Sequence, residues 1–293
     1  MAFHPDGNRW ASALPGVVYV WNGEAPPREL EVPTQGLAFS DDGKRLLATP
    51  YRLAPDKPPS DPLPDPLRAT LNARTRQYDQ VASAFSRDGA ELVLVASFRP
   101  GRGPGASGER PAQPEQILLV DAASGKLARA LWRGAEPRCE AVAVGARFIA
   151  AADMDVWLWP RHGSKPARRV LAGPEAQVRE LQFSPDGTRL AAVDADGMAT
   201  LWDAGSGKQL ARWKVHDDNA PRLAFHPRLP LVATGSGDRT IRLWSLAAVG
   251  EPALVAELRD QAGSVEDLAF SPDGKRLLAA VDGRPVFYDL AAD

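Results

Sequence analysis

A five-residue phrase, Phe-Ser-Pro-Asp-Gly, recurs along this 293-residue chain and limits its fold more than any other feature. It is complete at 183–187 and at 270–274. Copies or degraded variants of it lie at seven places: 3–7, 39–43, 85–89, 141–145, 183–187, 225–229 and 270–274. Seven copies in this length give a period of about 42 residues, which is typical of stacked structural repeats.

Each repeat contains four short apolar segments separated by turn residues. In the fifth repeat these segments cover 178–183, 189–193, 198–203 and 209–213, with apolar residues largely at alternate positions. Such alternation between frequent turns indicates short antiparallel strands. Pro-Asp-Gly suits a tight turn because Pro fixes φ, Asp bonds its own backbone and Gly accepts positive φ. Since one such unit buries too little surface alone, the pattern predicts an all-β fold, a seven-bladed β-propeller of four-stranded antiparallel blades.

The sixth repeat carries the residues on which a family resemblance rests, namely His216, 223–225, 233–238 and 240–244. Through them the chain resembles the WD-repeat β-propellers, as a divergent member with seven repeats. Its high content of Ala, Arg and Pro is similar to that of bacterial members of the family. The resemblance implies a buried structural tetrad, which here is His216, Thr234, Asp238 and Trp244. The fifth repeat has Ala192 in place of the hydroxyl residue, so only the sixth has a complete tetrad.

The repeats predict a single propeller domain over 1–293. The expected blades cover approximately 1–33, 34–79, 80–133, 134–172, 173–215, 216–260 and 261–293. Two stretches, 54–66 and 99–115, are rich in Pro, Gly and charged residues, which predicts flexible insertions. We place both after second strands of neighbouring blades. In the WD-repeat family that face is the usual docking surface for partners.

The last repeat contains three strand-like segments, the third of which ends near Tyr288. Three explanations remain open at this stage. The last blade has only three strands, residues upstream of Met1 supply the fourth, or a strand from a partner adds to the open edge. We favour the second explanation, in which this sequence is a domain or module of a larger protein.

Charge and hydropathy argue against two classes of partner. Lys and Arg number 35 against 37 Asp and Glu, for a net charge of −2, so no basic excess favours nucleic acid. Apolar runs of about five residues are much shorter than the roughly 20 of a membrane-spanning helix, which argues against a membrane partner.

The N-terminal sequence has no pattern of a secretory signal, and the single Cys139 fits a reducing compartment. We therefore expect a cytoplasmic protein.

The four histidines form no pattern typical of catalysis or metal binding. His4 and His226 occupy the Ser position of the turn phrase, His162 lies in a turn, and His216 belongs to the tetrad. No catalytic or phosphate-binding motif is present, so we expect no enzyme activity, metal or cofactor. The alternative is an enzymatic or sensing propeller, such as a lactonase-like hydrolase or a periplasmic sensor of small molecules or peptides. That class would gather His or carboxylates at the channel mouth.

The predicted function is therefore a non-catalytic scaffold for protein–protein interaction. We expect a protein or peptide partner on the face that bears the 54–66 and 99–115 loops. Aromatic residues and Arg are the types that most often anchor interfaces. The candidate partner-binding residues end second strands or begin first strands: Tyr51, Arg52, Phe98, Arg99, Arg138, Arg179 and Arg222.

Overall fold

The structure is a computed structural model. It describes residues 2–14, 17–23, 25–30, 37–39, 46–48, 51–53, 78–86, 90–98, 115–121, 126–134, 139, 141–163, 169–218, 222–247, 250–259 and 261–290. The predicted insertions therefore lie outside the described residues, apart from Glu115, which begins a strand. Within these ranges no helix combines the length and apolarity needed to cross a membrane.

The described residues form 26 strands, which are grouped into seven antiparallel sheets numbered here in chain order. Sheet 1 contains β1 (Ala2–Phe3), β2 (Arg9–Leu14), β3 (Val17–Asn22) and β4 (Arg28–Leu30). Sheet 2 contains β5 (Leu37–Phe39), β6 (Leu46–Ala48) and β7 (Tyr51–Leu53). Sheet 3 contains β8 (Tyr78–Phe85), β9 (Glu91–Phe98), β10 (Glu115–Asp121) and β11 (Leu127–Gly134).

The remaining four sheets follow in the second half of the chain. Sheet 4 contains β12 (Ala141–Val144), β13 (Phe148–Ala152), β14 (Val156–Pro160) and β15 (Arg169–Leu171). Sheet 5 contains β16 (Val178–Phe183), β17 (Arg189–Asp194), β18 (Met198–Asp203) and β19 (Gln209–Lys214). Sheet 6 contains β20 (Arg222–Phe225), β21 (Leu231–Gly235), β22 (Ile241–Ser245) and β23 (Ala253–Leu258). Sheet 7 contains β24 (Val265–Phe270), β25 (Arg276–Val281) and β26 (Arg284–Asp289).

Within every sheet the strands are hydrogen-bonded in chain order, so each connection is a hairpin between neighbours. Five sheets have four strands, and sheets 2 and 7 have three among the described residues. The first strands of successive sheets contact one another from sheet 3 to sheet 7, which places them innermost. The prediction of an all-β propeller with four-stranded antiparallel blades is confirmed.

The turn phrase joins the first and second strands of a sheet. In sheet 5 the Ser184 hydroxyl accepts the Arg189 N–H at 2.9 Å, and the Asp186 carboxylate accepts the Thr188 N–H at 3.0 Å. Gly187 donates its N–H to the Ser184 carbonyl and has φ of 69°, a conformation that favours glycine. The phrase therefore recurs because each of its polar residues satisfies backbone groups of the same tight turn.

The apolar core lies between consecutive sheets rather than within one of them. Along β17, Leu190 and Ala192 pack in a cluster with sheet 4, whereas Ala191 and Val193 pack in a cluster with sheet 6. Period-2 alternation thus gives each inner strand two buried faces, one for each neighbouring sheet. This is why the second strands are apolar at almost every position, whereas the outer strands are more polar.

Polar contacts near the turn phrases link one sheet to the next. His226 of sheet 6 accepts two N–H groups of its own turn on Nδ1 and contacts the Gly274 carbonyl of sheet 7 through Nε2 at 3.0 Å. The Arg276 guanidinium of sheet 7 donates to the Gly7 carbonyl of sheet 1 at 2.5 Å. Since sheets 1 and 7 are far apart in sequence, this bond connects the two ends of the described chain.

Two details differ from the sequence-based expectations. Tyr51 and Arg52 were expected at the end of a second strand, with the 54–66 stretch directly after it. They lie instead in β7, a third strand that pairs with β6, so the prediction that both insertions follow second strands is wrong for 54–66. In the sequence, Pro50 lies between β6 and β7 and has no N–H to donate to a neighbouring strand. Residues 46–53 therefore do not form one continuous strand. The first strand of sheet 3 also begins at Tyr78, shortly before the expected boundary at residue 80.

Candidate interaction site at the central cavity

The first strands of sheets 3 to 7 line a cavity of about 360 Å³. Its small residues come from sheets 3 and 4, including Ala82 and Ala141, and its charged residues come from sheets 5 to 7. The charged lining residues are Arg179, Glu180, Arg222, Glu266 and Asp267. All five belong to the beginnings of β16, β20 and β24, so the charge is concentrated at the end of the cavity where these strands start.

Side chains of β16 bind the backbone of β20 along the wall of the cavity. The Glu180 carboxylate accepts the Leu223 N–H at 3.1 Å, and the Gln182 side-chain oxygen accepts the Phe225 N–H at 2.7 Å. On the other side of β20, the Arg222 Nε donates to the Glu266 carbonyl at 2.8 Å. These bonds satisfy inner-strand backbone groups that have no neighbouring strand, and they tie three sheets together at the charged end.

Glu180 is the most perturbed carboxyl group of this site. Burial in the cavity wall, together with the nearby Asp267 carboxylate, raises the pKa of Glu180 to about 7. The Arg222 guanidinium and the Leu223 N–H act in the opposite direction, because both stabilise the charged form. Glu180 therefore changes its charge near neutral pH, and the charge of the cavity changes with it.

The structure brings together two of the seven predicted partner-binding residues. Arg179 and Arg222 both line the cavity, on neighbouring first strands. Tyr51 and Arg52 lie in β7 and Phe98 ends β9, but their side chains are outside the described part of the structure. Arg99 and Arg138 lie outside the described residues altogether.

Sequence reasoning missed the acidic half of the site. Glu180 follows Arg179 directly, and Glu266 and Asp267 occupy the second and third positions of β24. The available signal was positional, because charged residues recur at the start of first strands in several repeats. Only Arg and aromatic residues were expected as interface anchors, so the carboxylates beside them were not predicted.

The four tetrad residues form a continuous chain of hydrogen bonds in sheet 6. His216 Nδ1 lies 2.9 Å from the Asp238 carboxylate, and its Nε2 lies 2.9 Å from the Thr234 hydroxyl. Trp244 donates its indole N–H to the same hydroxyl at 3.0 Å. His216 and Thr234 are almost completely buried, so these groups have little access to water or to a substrate.

The electrostatics of the tetrad favour a neutral imidazole. Burial lowers the pKa of His216, although the hydrogen bond and charge of Asp238 oppose this shift. Burial raises the pKa of Asp238, but hydrogen bonds from Thr240 and His216 outweigh it, so the pKa is lowered overall. Neutral His216 can then donate from Nδ1 to the carboxylate and accept the Thr234 hydroxyl on Nε2, which leaves the Thr234 oxygen to accept from Trp244.

The residues that follow β19 are attached through their backbone to a turn of sheet 5. The backbone N–H groups of Val215 and His216 both donate to the Gly197 carbonyl of sheet 5. Gly197 has φ of 71°, and a Cβ at this position would overlap the His216 carbonyl oxygen. The hydrogen-bonded core of sheet 6 is thereby attached to a turn of sheet 5, shortly before β20 begins at Arg222.

The arrangement at the cavity places charged groups of both signs on three adjacent sheets. In the described part of the chain, no group of three or more His, Cys, Asp or Glu residues has the geometry to hold a metal ion. The charged groups lie on rigid strand starts and not on isolated loops. Such an arrangement is suited to recognising complementary charges on another molecule.

Comparison with known proteins gives a family match in the second half of the chain. The family described as "WD domain, G-beta repeat" matches residues 166–203, 207–245 and 253–289. Each match covers the fourth strand of one sheet and the first three strands of the next, so together they include the first strands of sheets 5, 6 and 7, which carry the charged end of the cavity. The resemblance to WD-repeat propellers is confirmed by this match.

Curated relatives align with part of the chain. Eukaryotic translation initiation factor 3 subunit I from Aspergillus fumigatus is 33% identical over 118 residues, which are 40% of this chain and 34% of the relative. The same subunit from Candida albicans is 32% identical over 112 residues, which are 38% of this chain and 31% of the relative. The chain thus spans about a third of the length of these relatives. The expectation of a bacterial protein is wrong, because these relatives are fungal.

Proposed function

Because residues 166–289 of this chain consist of WD40 repeats, we propose that the protein is a non-catalytic scaffold that binds protein or peptide partners. The observation that carries this proposal is the charged end of the cavity, where Arg179, Arg222 and three carboxylates stand on adjacent first strands. The relatives are named as subunits of a translation initiation factor, and a subunit by definition contacts other polypeptides. We assign the protein to the cytoplasm on the same grounds.

The partner contacts this face through ion pairs and hydrogen bonds. Arg179 and Arg222 bind carboxylates of the partner, whereas Glu266 and Asp267 bind its basic residues. Since both signs of charge occur within one small surface, a partner must match their arrangement as well as their sum.

The fold under this function is a single propeller over 1–293, in which each of the seven sheets is one blade. Sheet 2 is the second blade, next to sheet 1, with which it is in contact through β5. The tetrad of His216, Thr234, Asp238 and Trp244 acts as a structural support for the loop before Arg222. The cavity carboxylates Glu180, Glu266 and Asp267 are groups that the hydrolase or sensor alternative would also gather there, but Arg179 and Arg222 stand among them, which favours recognition of complementary charges.

The test compares partner capture by matched variants. Crosslinking of the purified protein in lysate, followed by mass spectrometry, identifies partners of the wild type. The double variant Arg179→Ala and Arg222→Ala should lose them, whereas Arg228→Ala should retain them. Arg228 is exposed and lies beyond the opposite end of β20, so it controls for the loss of a positive charge. Equal capture by all three proteins would contradict a partner site at the cavity.

A further inference from the structure

The turn between β20 and β21 contains a histidine where two other repeats have serine. His226 follows Phe225, and the residues at the same position of the two complete phrases are Ser184 and Ser271. Each of the three donates its backbone N–H to the carbonyl of the residue five positions later, at 2.8–3.0 Å. His226 therefore belongs to the same kind of turn, but it adds a titratable ring to it.

Backbone groups contact both ring nitrogens of His226. Nδ1 accepts the N–H of Arg228 at 3.1 Å and the N–H of Leu229 at 2.9 Å. Nε2 lies 3.0 Å from the carbonyl oxygen of Gly274, which can only accept a hydrogen bond. These three contacts fit one form of the imidazole, which is neutral, carries its proton on Nε2 and has its lone pair on Nδ1.

The ring is also packed closely between sheets 6 and 7. His226 is 6% exposed and stands edge-on to the Phe270 ring, with 5.0 Å between centroids. A Cβ at Gly274 would lie 2.4 Å from two atoms of the imidazole, so the backbone of sheet 7 passes directly against it. The ring therefore cannot turn over unless the neighbouring turn moves.

The charged groups around this ring do not favour an imidazolium. Arg228, on the same turn, is positive, and among the described residues no carboxylate forms an ion pair with His226. The charged residues of the sheet 7 turn are Asp273, Lys275 and Arg276. Asp273 bonds within its own turn, where its carboxylate accepts the Lys275 N–H at 3.0 Å, and Arg276 donates to sheet 1. A proton on the buried ring is thus left without a compensating negative charge.

A second proton on this imidazole conflicts with the turn itself. Burial lowers the pKa of His226 below its ordinary value of 6.5, the charge of Arg228 acts in the same direction, and the bond to the Gly274 carbonyl opposes both. Protonated Nδ1 would face two backbone N–H groups and could no longer accept from them. Because a buried N–H without an acceptor is destabilising, the turn has to open when that proton binds.

We propose that His226 is an acid-sensitive latch between sheets 6 and 7. At neutral pH the ring holds the 226–229 turn through Nδ1 and the sheet 7 turn through Nε2. When Nδ1 takes a proton from solvent, the N–H groups of Arg228 and Leu229 are released and the 226–229 turn opens. The charged ring then moves towards water and away from Phe270.

His4 occupies the same position of the phrase in sheet 1, but its surroundings differ. Its Nδ1 lies 3.1 Å from the backbone N–H of Asp6 and also 3.0 Å from the Asp6 carboxylate, and its Nε2 lies 2.7 Å from the Arg9 guanidinium. The carboxylate can accept from a protonated Nδ1, so a proton there does not require the turn to open. The latch therefore depends on the partners of the ring and not on its place in the phrase.

The latch stands at the end of β20 that is opposite the charged end of the cavity. β20 begins at Arg222, whose Nε donates to the Glu266 carbonyl of β24, and it ends directly before His226. Loosening sheet 6 from sheet 7 therefore moves strands that line the cavity, and partner binding there changes with pH. This consequence rests on the proposed function, whereas the latch itself does not.

The first test is nitrogen-15 NMR of the full chain labelled at its four histidines. The signals of His226 are those that are absent from the variant His226→Ser. At pH 7.5 they should show a protonated Nε2 and an unprotonated Nδ1, and they should titrate with a midpoint below 6.5. A proton on Nδ1 at pH 7.5, or a midpoint of 6.5 or higher, would overturn the proposal.

The second test is amide hydrogen exchange at pH 5 and pH 7.5, corrected for the intrinsic effect of pH on exchange. Protection of the Arg228 and Leu229 amides should be about five- to thirtyfold lower at pH 5, because the open turn binds a proton that the closed turn excludes. The serine-containing turn over 184–189 is the internal control and should keep its protection. His226→Ser should abolish the loss, whereas the matched variant His4→Ser should retain it.

Three exchange results would contradict the latch. One is equal protection of the Arg228 and Leu229 amides at both pH values, and another is the same acid-induced loss in His226→Ser. The third is an equal loss in the 184–189 turn, which would show general loosening of the fold by acid. Circular dichroism checks that both variants fold. Since no readout involves a partner, the latch and the partner site at the cavity can fail separately.

Discussion

Replacing Thr234 by Val removes the hydroxyl that joins the tetrad while nearly preserving the shape of the side chain. Thr234 is 1% exposed, and its oxygen contacts both His216 Nε2 and the Trp244 indole N–H. The substitution leaves a buried acceptor and a buried donor without this partner. At about 1–3 kcal/mol for each of the two orphaned groups, the free energy of unfolding should fall by about 2–6 kcal/mol. That is a large part of the stability of an ordinary domain.

The assay is urea unfolding followed by tryptophan fluorescence and, independently, by far-ultraviolet circular dichroism. Thr200→Val is the matched control, because Thr200 is also 1% exposed, in sheet 5, and within the described ranges its hydroxyl has no hydrogen bond. The control should change stability by less than about 0.5 kcal/mol. If Thr234→Val were as stable as the wild type, or if the control lost as much, the hydrogen-bonded tetrad would not be a stabilising element.

Two further predictions concern charge and backbone geometry. Glu180 has a raised pKa of about 7, so from pH 4.5 to 7 the folded protein retains a proton that the unfolded chain has lost, and the carboxyl group lowers stability as the pH rises. Glu180→Gln should therefore gain about 1–3 kcal/mol over the wild type by pH 8 and nothing at pH 4, measured by urea unfolding at each pH. Gly274→Ala should cost about 1–3 kcal/mol, because φ is 77° and the new Cβ would overlap the His226 ring. Gly250→Ala, which has positive φ but open space around its Cβ, should cost less, with both variants measured by urea unfolding. Equal losses would show that the overlap with His226 does not add to the cost of Gly274→Ala.

The repeat phrase was sufficient to predict the architecture because its information is local. Ser184, Asp186 and Gly187 each satisfy the turn in which they stand, so the same residues must reappear wherever the turn does. The tetrad residues could be named from the family motif, and the structure brings all four into contact. In contrast, the strand that contains Tyr51 and Arg52 was misplaced, since a short apolar run does not reveal where a ladder is interrupted.

The charged cavity could not be assembled from the sequence. Glu180 owes its raised pKa first to burial in the cavity wall and then to Asp267, which is in another sheet, and it accepts a hydrogen bond from Leu223, which is in a third. Each of these residues looks ordinary in its own repeat. The bias in Ala, Arg and Pro likewise suggested a bacterial protein, yet the relatives are fungal. Amino-acid composition depends on residue usage and does not by itself identify descent.

The sequence by itself determined the repeat, the strand pattern and the turns, because these depend on alternation and on contacts within one repeat. The residues of the tetrad followed from the resemblance to a known family. Only the tertiary structure decided which residues meet across repeats. It placed Arg179, Arg222 and three carboxylates around one cavity, and it brought the Gly274 carbonyl of sheet 7 against the ring of His226. The physical reason is that burial and charge interactions depend on the distances between residues of different sheets. Those distances are set only when the repeats stack against one another.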